Sequence, residues 1–240
     1  MSLDRHLIDA FGGAAPEHFR WQTEAPVVAE AERALVQSAF LPLGRRVLDL
    51  GCAEGATLWH LGDPAGAVGV DIFLAKLAFA RDHVRAGLVA GSATALPFSD
   101  GSFDQVIVRD VIHHVPDAEG LLAECRRVVA PDGRIDVLEP CRYNPLILAH
   151  ALLQPAERGE LRSSSAFLSK LVGRHFRHCT ITHHQPMPLH RLVFHPRFGR
   201  RDGARDTSLR RVVDAAERLA GLLMPRATWA YIHVRGEDAS

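Results

Sequence analysis

The chain is predicted to fold as an α/β domain with a doubly wound, mostly parallel sheet, and three observations predict it. First, short apolar runs at 46–50, 67–71, 87–90, 104–109 and 134–139 alternate with helix-like stretches at 55–61, 73–85 and 117–129. Strands that alternate with helices form parallel sheets covered on both faces. Second, the run Val47, Leu48, Leu50 leads into a turn of small residues, Gly51-Cys52-Ala53-Glu54-Gly55. Small residues at such a turn let the backbone approach a ligand closely. Third, the next run, Ala67-Val68-Gly69-Val70, ends in Asp71. A carboxylate at that position suits two ribose hydroxyls, because it accepts two hydrogen bonds. A nucleotide-type cofactor is therefore expected at the head of the sheet.

The elements follow in order. Residues 1–42 precede the first strand and read as an N-terminal helical lid. Within it, Phe11, Phe19 and Trp21 mark short helices expected over the cofactor pocket, with core packing as the equal alternative. Val27, Val28, Ala31, Ala34, Leu35 and Ala39 recur at a helical period between Pro26 and Phe40, and Pro42 follows the end. Residues 43–140 hold the alternating core. Beyond Glu139 the pattern loosens into an apolar segment, Leu146–Leu153, and a helical stretch at 166–172. Phe176–Thr182 reads as a sixth strand and Trp229–Val234 as a seventh. Between them, 183–228 reads as an inserted cap with a helix at 208–223. The segment 141–228 thus forms the substrate side, and 229–240 the last strand and tail.

Bulk properties narrow the class. The 240 residues suit one domain with an appended cap. Lys+Arg and Asp+Glu each total 28, so overall charge gives no reason to expect a polyanionic partner. Cys52, Cys125, Cys141 and Cys179 are scattered without a C-x-x-C pair, which fits a reducing cytosol. The first residues carry acids and no long apolar core, unlike a signal peptide. No apolar run approaches the roughly 20 residues that cross a bilayer. A cytoplasmic protein is expected.

The motifs make a family resemblance specific. Asp49-Leu50-Gly51-Cys52-Ala53-Glu54-Gly55 resembles the D-x-G-x-G-x-G motif of class I S-adenosylmethionine (SAM) dependent methyltransferases, with Ala53 for the middle glycine. Gly69-Val70-Asp71-Ile72 resembles the second motif. Gly91-Ser92-Ala93-Thr94-Ala95-Leu96-Pro97-Phe98 resembles the third, G-D-A-x-x-L-P-F, with Ser92 for the acid. Phe103–Val108, running into Arg109-Asp110-Val111-Ile112-His113-His114-Val115, resembles the fourth. Leu121–Val129 with Ala130-Pro131-Asp132-Gly133-Arg134-Ile135 resembles the fifth. All five stand in the family's order, and the subgroup is that of the ubiquinone and menaquinone methyltransferases.

The resemblance implies a seven-stranded Rossmann-like sheet whose sixth and seventh strands form an antiparallel hairpin. It implies SAM as cofactor and S-adenosylhomocysteine as product. The implied cofactor contacts are Asp49, Gly51, Cys52, Ala53, Gly55, Asp71, Ile72, Ser92, Ala93 and Arg109. It also implies a small organic acceptor, such as an anionic metabolite or natural-product intermediate; oxygen is the preferred acceptor atom, with nitrogen and carbon open. Two alternatives stay open: an RNA or protein methyltransferase using a basic cap, and a SAM-fold binding protein without turnover. A dehydrogenase is disfavoured, because Gly51-x-Ala53-x-Gly55 has the wrong glycine spacing.

The acceptor side is less determined. His113 and His114 follow the fourth strand at the mouth of the sheet. Histidine has the right pKa to take a proton from a hydroxyl acceptor, so His113 is the candidate catalytic base. His114 is a candidate substrate contact. Cys52 reads as a small filler, since no local base marks it as a nucleophile. Residues 174–211 carry nine arginines against Asp202 and Asp206, with six histidines. This reads as a solvated face or as recognition of an anionic acceptor by Arg191 and Arg197. Nucleic acid is a weaker reading, because total charge is balanced. No H-x-x-x-H or H-x-x-E pair occurs among those histidines, so no metal is expected. Nothing in the sequence fixes the oligomeric state.

Overall fold

In the computed structural model, residues 12–195 and 207–238 are described. Seven strands form one sheet: β1 Val47–Leu50, β2 Val68–Asp71, β3 Gly87–Ala90, β4 Phe103–Arg109, β5 Val129–Pro140, β6 His178–His184 and β7 Tyr231–Glu237. Their order is β3-β2-β1-β4-β5-β7-β6. The first five run parallel, whereas β7 lies antiparallel to both β5 and β6. The expected Rossmann-like methyltransferase sheet and terminal hairpin are therefore present. Strand order reverses between β1 and β4. In open α/β sheets ligands bind at such a switch point, beyond the carboxyl ends of the strands.

The central strands are apolar because both faces are covered. On one face, α5 (Ala118–Val128) buries Leu121, Leu122, Cys125 and Val128, and α7 (Ser165–Val172) buries Leu168, Leu171 and Val172. On the other, α2 (Pro26–Phe40) buries Leu35, Val36, Ala39 and Phe40 beside Leu58 of α3 (Ala56–His60) and Ala80 of α4 (Leu74–Ala80). Pro26 opens α2, where its missing N–H leaves no bond unmade. A short α1 (Pro16–Thr23) precedes it. One buried carboxylate knits the sheet: Asp136 accepts from Gln105 Nε2 at 2.7 Å, His233 Nε2 at 2.9 Å and Arg235 Nε at 2.7 Å.

Three expectations shift in detail. The helix expected over 73–85 ends at Ala80 and continues only as turns, with His83 and Val84 both donating to the Ala80 carbonyl. Ala130–Gly133, expected as a turn before the fifth strand, lies inside β5 as an irregularity in its pairing with β4. β6 runs on to His184 and β7 starts at Tyr231, so the inserted connection is 185–230. It springs from the carboxyl edge of the sheet, since Tyr231 pairs with Pro140 at the end of β5. Before it, α6 (Pro145–Leu153) covers the apolar segment. Within it lie α8 (Leu189–Val193) and α9 (Thr207–Leu223), the latter matching the expected helix at 208–223.

Candidate active site

The turn after β1 has the backbone that its small residues foretell. Gly51, Ala53 and Gly55 all have positive φ, at 76°, 48° and 88°. Asp71 braces the turn from β2: its carboxylate accepts from Ala53 N and from Phe73 N, both at 2.9 Å. Each oxygen keeps a second lone pair for a ligand hydroxyl. A side chain at Gly51 would strike Val111, so packing as well as φ requires glycine there. Cys52 is buried, and its sulfur lies where a side chain on Gly69 would go. Burial pushes its thiol well up, which suits a filler and not a nucleophile.

Asp49 is buried at the end of β1, and its Oδ2 has no hydrogen-bond partner. Burial lifts its pKa to about 7, Arg109 opposes the rise and Asp71 adds to it. An orphaned carboxylate beside a glycine turn fits a cationic group, such as the ammonium of SAM. Ile72 is exposed at the rim, and Ser92 and Ala93 lie part-buried after β3. The Ser92 hydroxyl meets Thr94 Oγ1 at 3.0 Å. That loop is pinned by α5: Leu96 N donates to Glu124 at 2.7 Å, and Arg127 donates to the Leu96 and Phe98 carbonyls. The N-terminal segment meets the turn directly. Ala15 N donates to Glu54 at 2.7 Å, Lys76 lies 3.7 Å from that carboxylate, and Phe19 packs its ring on Trp59, Phe79 and His83.

Beyond β4 the chain makes a single 3-10 turn, Ile112–His114. Glu139, at the end of β5, holds it. One oxygen accepts from Val111 N and Ile112 N at 2.8 Å, and the other lies 2.6 Å from His113 Nδ1. His113 Nε2 faces Glu157 at 3.4 Å, and His114 Nε2 lies 3.6 Å from the same carboxylate. Burial alone would lower the His113 pKa. Glu139 overcomes it, with Glu157 and Asp110 assisting, and the imidazole is held well above its usual value. Burial and the His113 charge push His114 down to about 4. Asp110, with φ of 54°, is raised to about 6 by burial against the pull of Arg109. The ligand-capable atoms of His113, His114 and Glu157 lie within 4.8 Å of one another.

Arg109 and Arg191 come together on a residue the sequence did not single out. Glu32 of α2 is fully buried; Arg109 Nη2 donates to one oxygen at 2.5 Å and Arg191 Nε to the other at 2.8 Å. The fork of Arg191 is thus occupied by the chain's own carboxylate. Arg197, with Arg200, Arg201 and Arg205, lies outside the described residues. Glu139 and Glu157 were also missed. Glu139 ends a core strand at the carboxyl edge, as Asp71 does, and Glu32 interrupts the apolar stripe of α2. Those two signals were available; Glu157 offered none.

Comparison with known proteins decides the class: residues 48–136 match a family described as "Methyltransferase domain". Residues 48–136 are a methyltransferase domain. A curated relative, 27-O-demethylrifamycin SV methyltransferase of Amycolatopsis mediterranei, is 30% identical over 142 residues, covering 54% of this chain and 52% of that protein. Demethylmenaquinone methyltransferase of Lactobacillus johnsonii is 34% identical over 116 residues, covering 43% and 48%. The chain thus spans about half the length of these relatives. Over nearly its whole length it shares the fold of a SAM-dependent methyltransferase from Thermotoga maritima described as a possible histamine N-methyltransferase. That likeness has a TM-score of 0.67 at 18% identity, covering 98% of this chain and 99% of that one. The cofactor of the methyltransferase domain is SAM.

Proposed function

We propose that the protein methylates an oxygen of a small organic acceptor, with His113 as general base and Glu139 as the carboxylate that orients it. The carrying observation is the 2.6 Å contact from His113 Nδ1 to Glu139, with Nε2 facing Glu157 at 3.4 Å. Bound SAM supplies a sulfonium-activated methyl group. Asp71 and the Gly51–Gly55 turn hold the ribose end, and Asp49 receives the ammonium. Ser92 and Ala93 border the adenine, and Ile72 closes the rim. With SAM bound, His113 Nε2 would take the hydroxyl proton as the acceptor oxygen bonds to the methyl carbon and the methyl carbon–sulfur bond breaks, releasing S-adenosylhomocysteine, and Glu139 would stabilise the resulting imidazolium. His114, neutral with its pKa at about 4, lines the acceptor side.

The names of the relatives, which act on demethylmenaquinone, a demethylated rifamycin and tocopherol, support phenols and hydroquinones as first acceptors. The test is SAM-dependent methylation of a panel of such compounds, with product mass and methyl position read by mass spectrometry and NMR. His113→Ala is expected to lower kcat by about 100- to 10,000-fold with SAM affinity retained. Because His113 is held protonated, kcat/KM is expected to rise with pH through a limb above 6.5. Full activity in His113→Ala, or a flat profile there, would remove the base assignment.

A further inference from the structure

The outward face of α9 is built the wrong way round for a helix that meets only water. Its exposed positions are Ser208, Arg211, Val212, Ala215, Arg218, Leu219, Leu222 and Leu223, at the three- and four-residue spacing of one helical stripe. Val212 is 64% exposed, Leu219 55%, Leu222 84% and Leu223 73%. The acids of this helix point elsewhere. Glu217 accepts from the His190 backbone N–H and lies 2.8 Å from its ring, and Asp214 lies beside Arg210, which itself reaches Glu30. Those contacts, with buried Val213, fasten the helix to the body and leave the leucines outside.

The stripe therefore carries arginines as its only charges. Arg211 and Arg218 form no ion pair among the described residues. The same surface continues past the helix end, where exposed Arg226 lies over the Trp229 ring at 5.6 Å. A second apolar helix adjoins it. Asn144, the N-cap of α6, donates to the Pro186 and Thr228 carbonyls, and Gly221 of α9 packs on Pro186. On α6, Leu148, Leu152 and Leu153 are exposed.

We propose that this face docks on the surface of an anionic lipid bilayer. Leucines enter the acyl boundary, while the arginine heads reach up to phosphates. Charge decides against the other natural occupant. A second copy of the same stripe would bring more arginines and no acid to meet them. No described helix is long and apolar enough to cross a membrane, so the contact is one of surface docking. The connection that carries α9 springs from the sheet edge that holds the cofactor turn, so docking turns the acceptor side toward the lipid.

Vesicle flotation of the full chain tests this, using phosphatidylcholine alone and phosphatidylcholine with one-third phosphatidylglycerol. Preferential binding to the anionic vesicles is expected, weakening with salt. Arg211→Gln with Arg218→Gln is expected to weaken it on the order of 30-fold, and Leu222→Glu with Leu223→Glu to abolish it. SAM binding by calorimetry should stay unchanged in both variants and reports that the fold is kept. Wild-type protein that floats with neither vesicle overturns the proposal. So does a concentration-dependent dimer, lost in the leucine variant, without vesicle binding; that result assigns the face to a second copy.

Discussion

At the scale of single residues, the site is a set of carboxylates, of which Asp49 keeps an oxygen without a partner. Asp49 lacks a partner for Oδ2, and burial holds its pKa at about 7 against 3.8 in the open chain. The folded protein binds that proton more tightly than the unfolded one. Stability from this group is therefore full below pH 4 and lost as pH rises through 7. Asp49→Asn is expected to be more stable than wild type at pH 8, by up to about 4 kcal/mol, and indistinguishable at pH 4. Denaturant unfolding at the two pH values checks it. The same variant should bind SAM more weakly, because the ammonium loses its counter-charge. Equal stability at pH 8 would show that Asp49 has a partner in the folded chain. The turn Gly51–Gly55 was legible in the sequence because its backbone geometry restricts it to small side chains. Glu139 and Glu157 were not legible as partners of His113. A carboxylate becomes one only by its distance, and the sequence separations of 26 and 44 residues are closed by the sheet and by the 155–162 segment.

At the scale of elements, the short 3-10 segment Pro155–Arg162 sets the environment of His113. It follows α6 and brings Glu157 to Nε2, and Arg162 reaches the His113 carbonyl at 3.5 Å. Gly159 lies against that carbonyl so closely that a side chain there would collide with it. Gly159→Ala is expected to lift the segment away and to destabilise the fold by about 1–3 kcal/mol. With Glu157 withdrawn, Glu139, Asp110 and the neighbouring His114 remain around the ring, so the His113 pKa should fall toward its ordinary value. Imidazole NMR titration of wild type and variant measures this, and an unchanged His113 titration would show that the segment does not set it. The core elements were readable because period and turn chemistry mark them. The 3-10 segment was not, since Pro155-Ala156-Glu157-Arg158-Gly159-Glu160 has no apolar period and is ordered by what it packs against.

At the scale of the whole molecule, Glu32 joins three parts distant in sequence: α2, the end of β4 through Arg109, and the inserted connection through Arg191. The anionic acceptor expected at Arg191 would have to compete with this internal carboxylate. Burial pushes the Glu32 pKa up, but the two guanidiniums overcome it and bring it down to about 2 from 4.5. For a depressed carboxylate the sign runs opposite to that of Asp49. Its stabilisation is present above pH 4.5 and is lost as pH falls through 2, a difference of about 3 kcal/mol. Glu32→Gln removes that acid-labile share and leaves the Arg109 side chain, 6% exposed, with Asp110 as its remaining charge partner at 3.3 Å. Removing one member of a buried pair costs about 3–5 kcal/mol. The variant is therefore expected to unfold at lower denaturant at pH 7 and to differ less from wild type at pH 2. Hydrogen exchange should quicken in 189–193, where Arg191 is released, and stay unchanged in β1 and β2, which Glu32 does not touch. Unchanged exchange in 189–193 would mean that α8 is held by its remaining contacts, Phe194 against Trp21 and His190 against Glu217. The cap would then be fastened to the body independently of the buried Glu32, Arg109 and Arg191 charges.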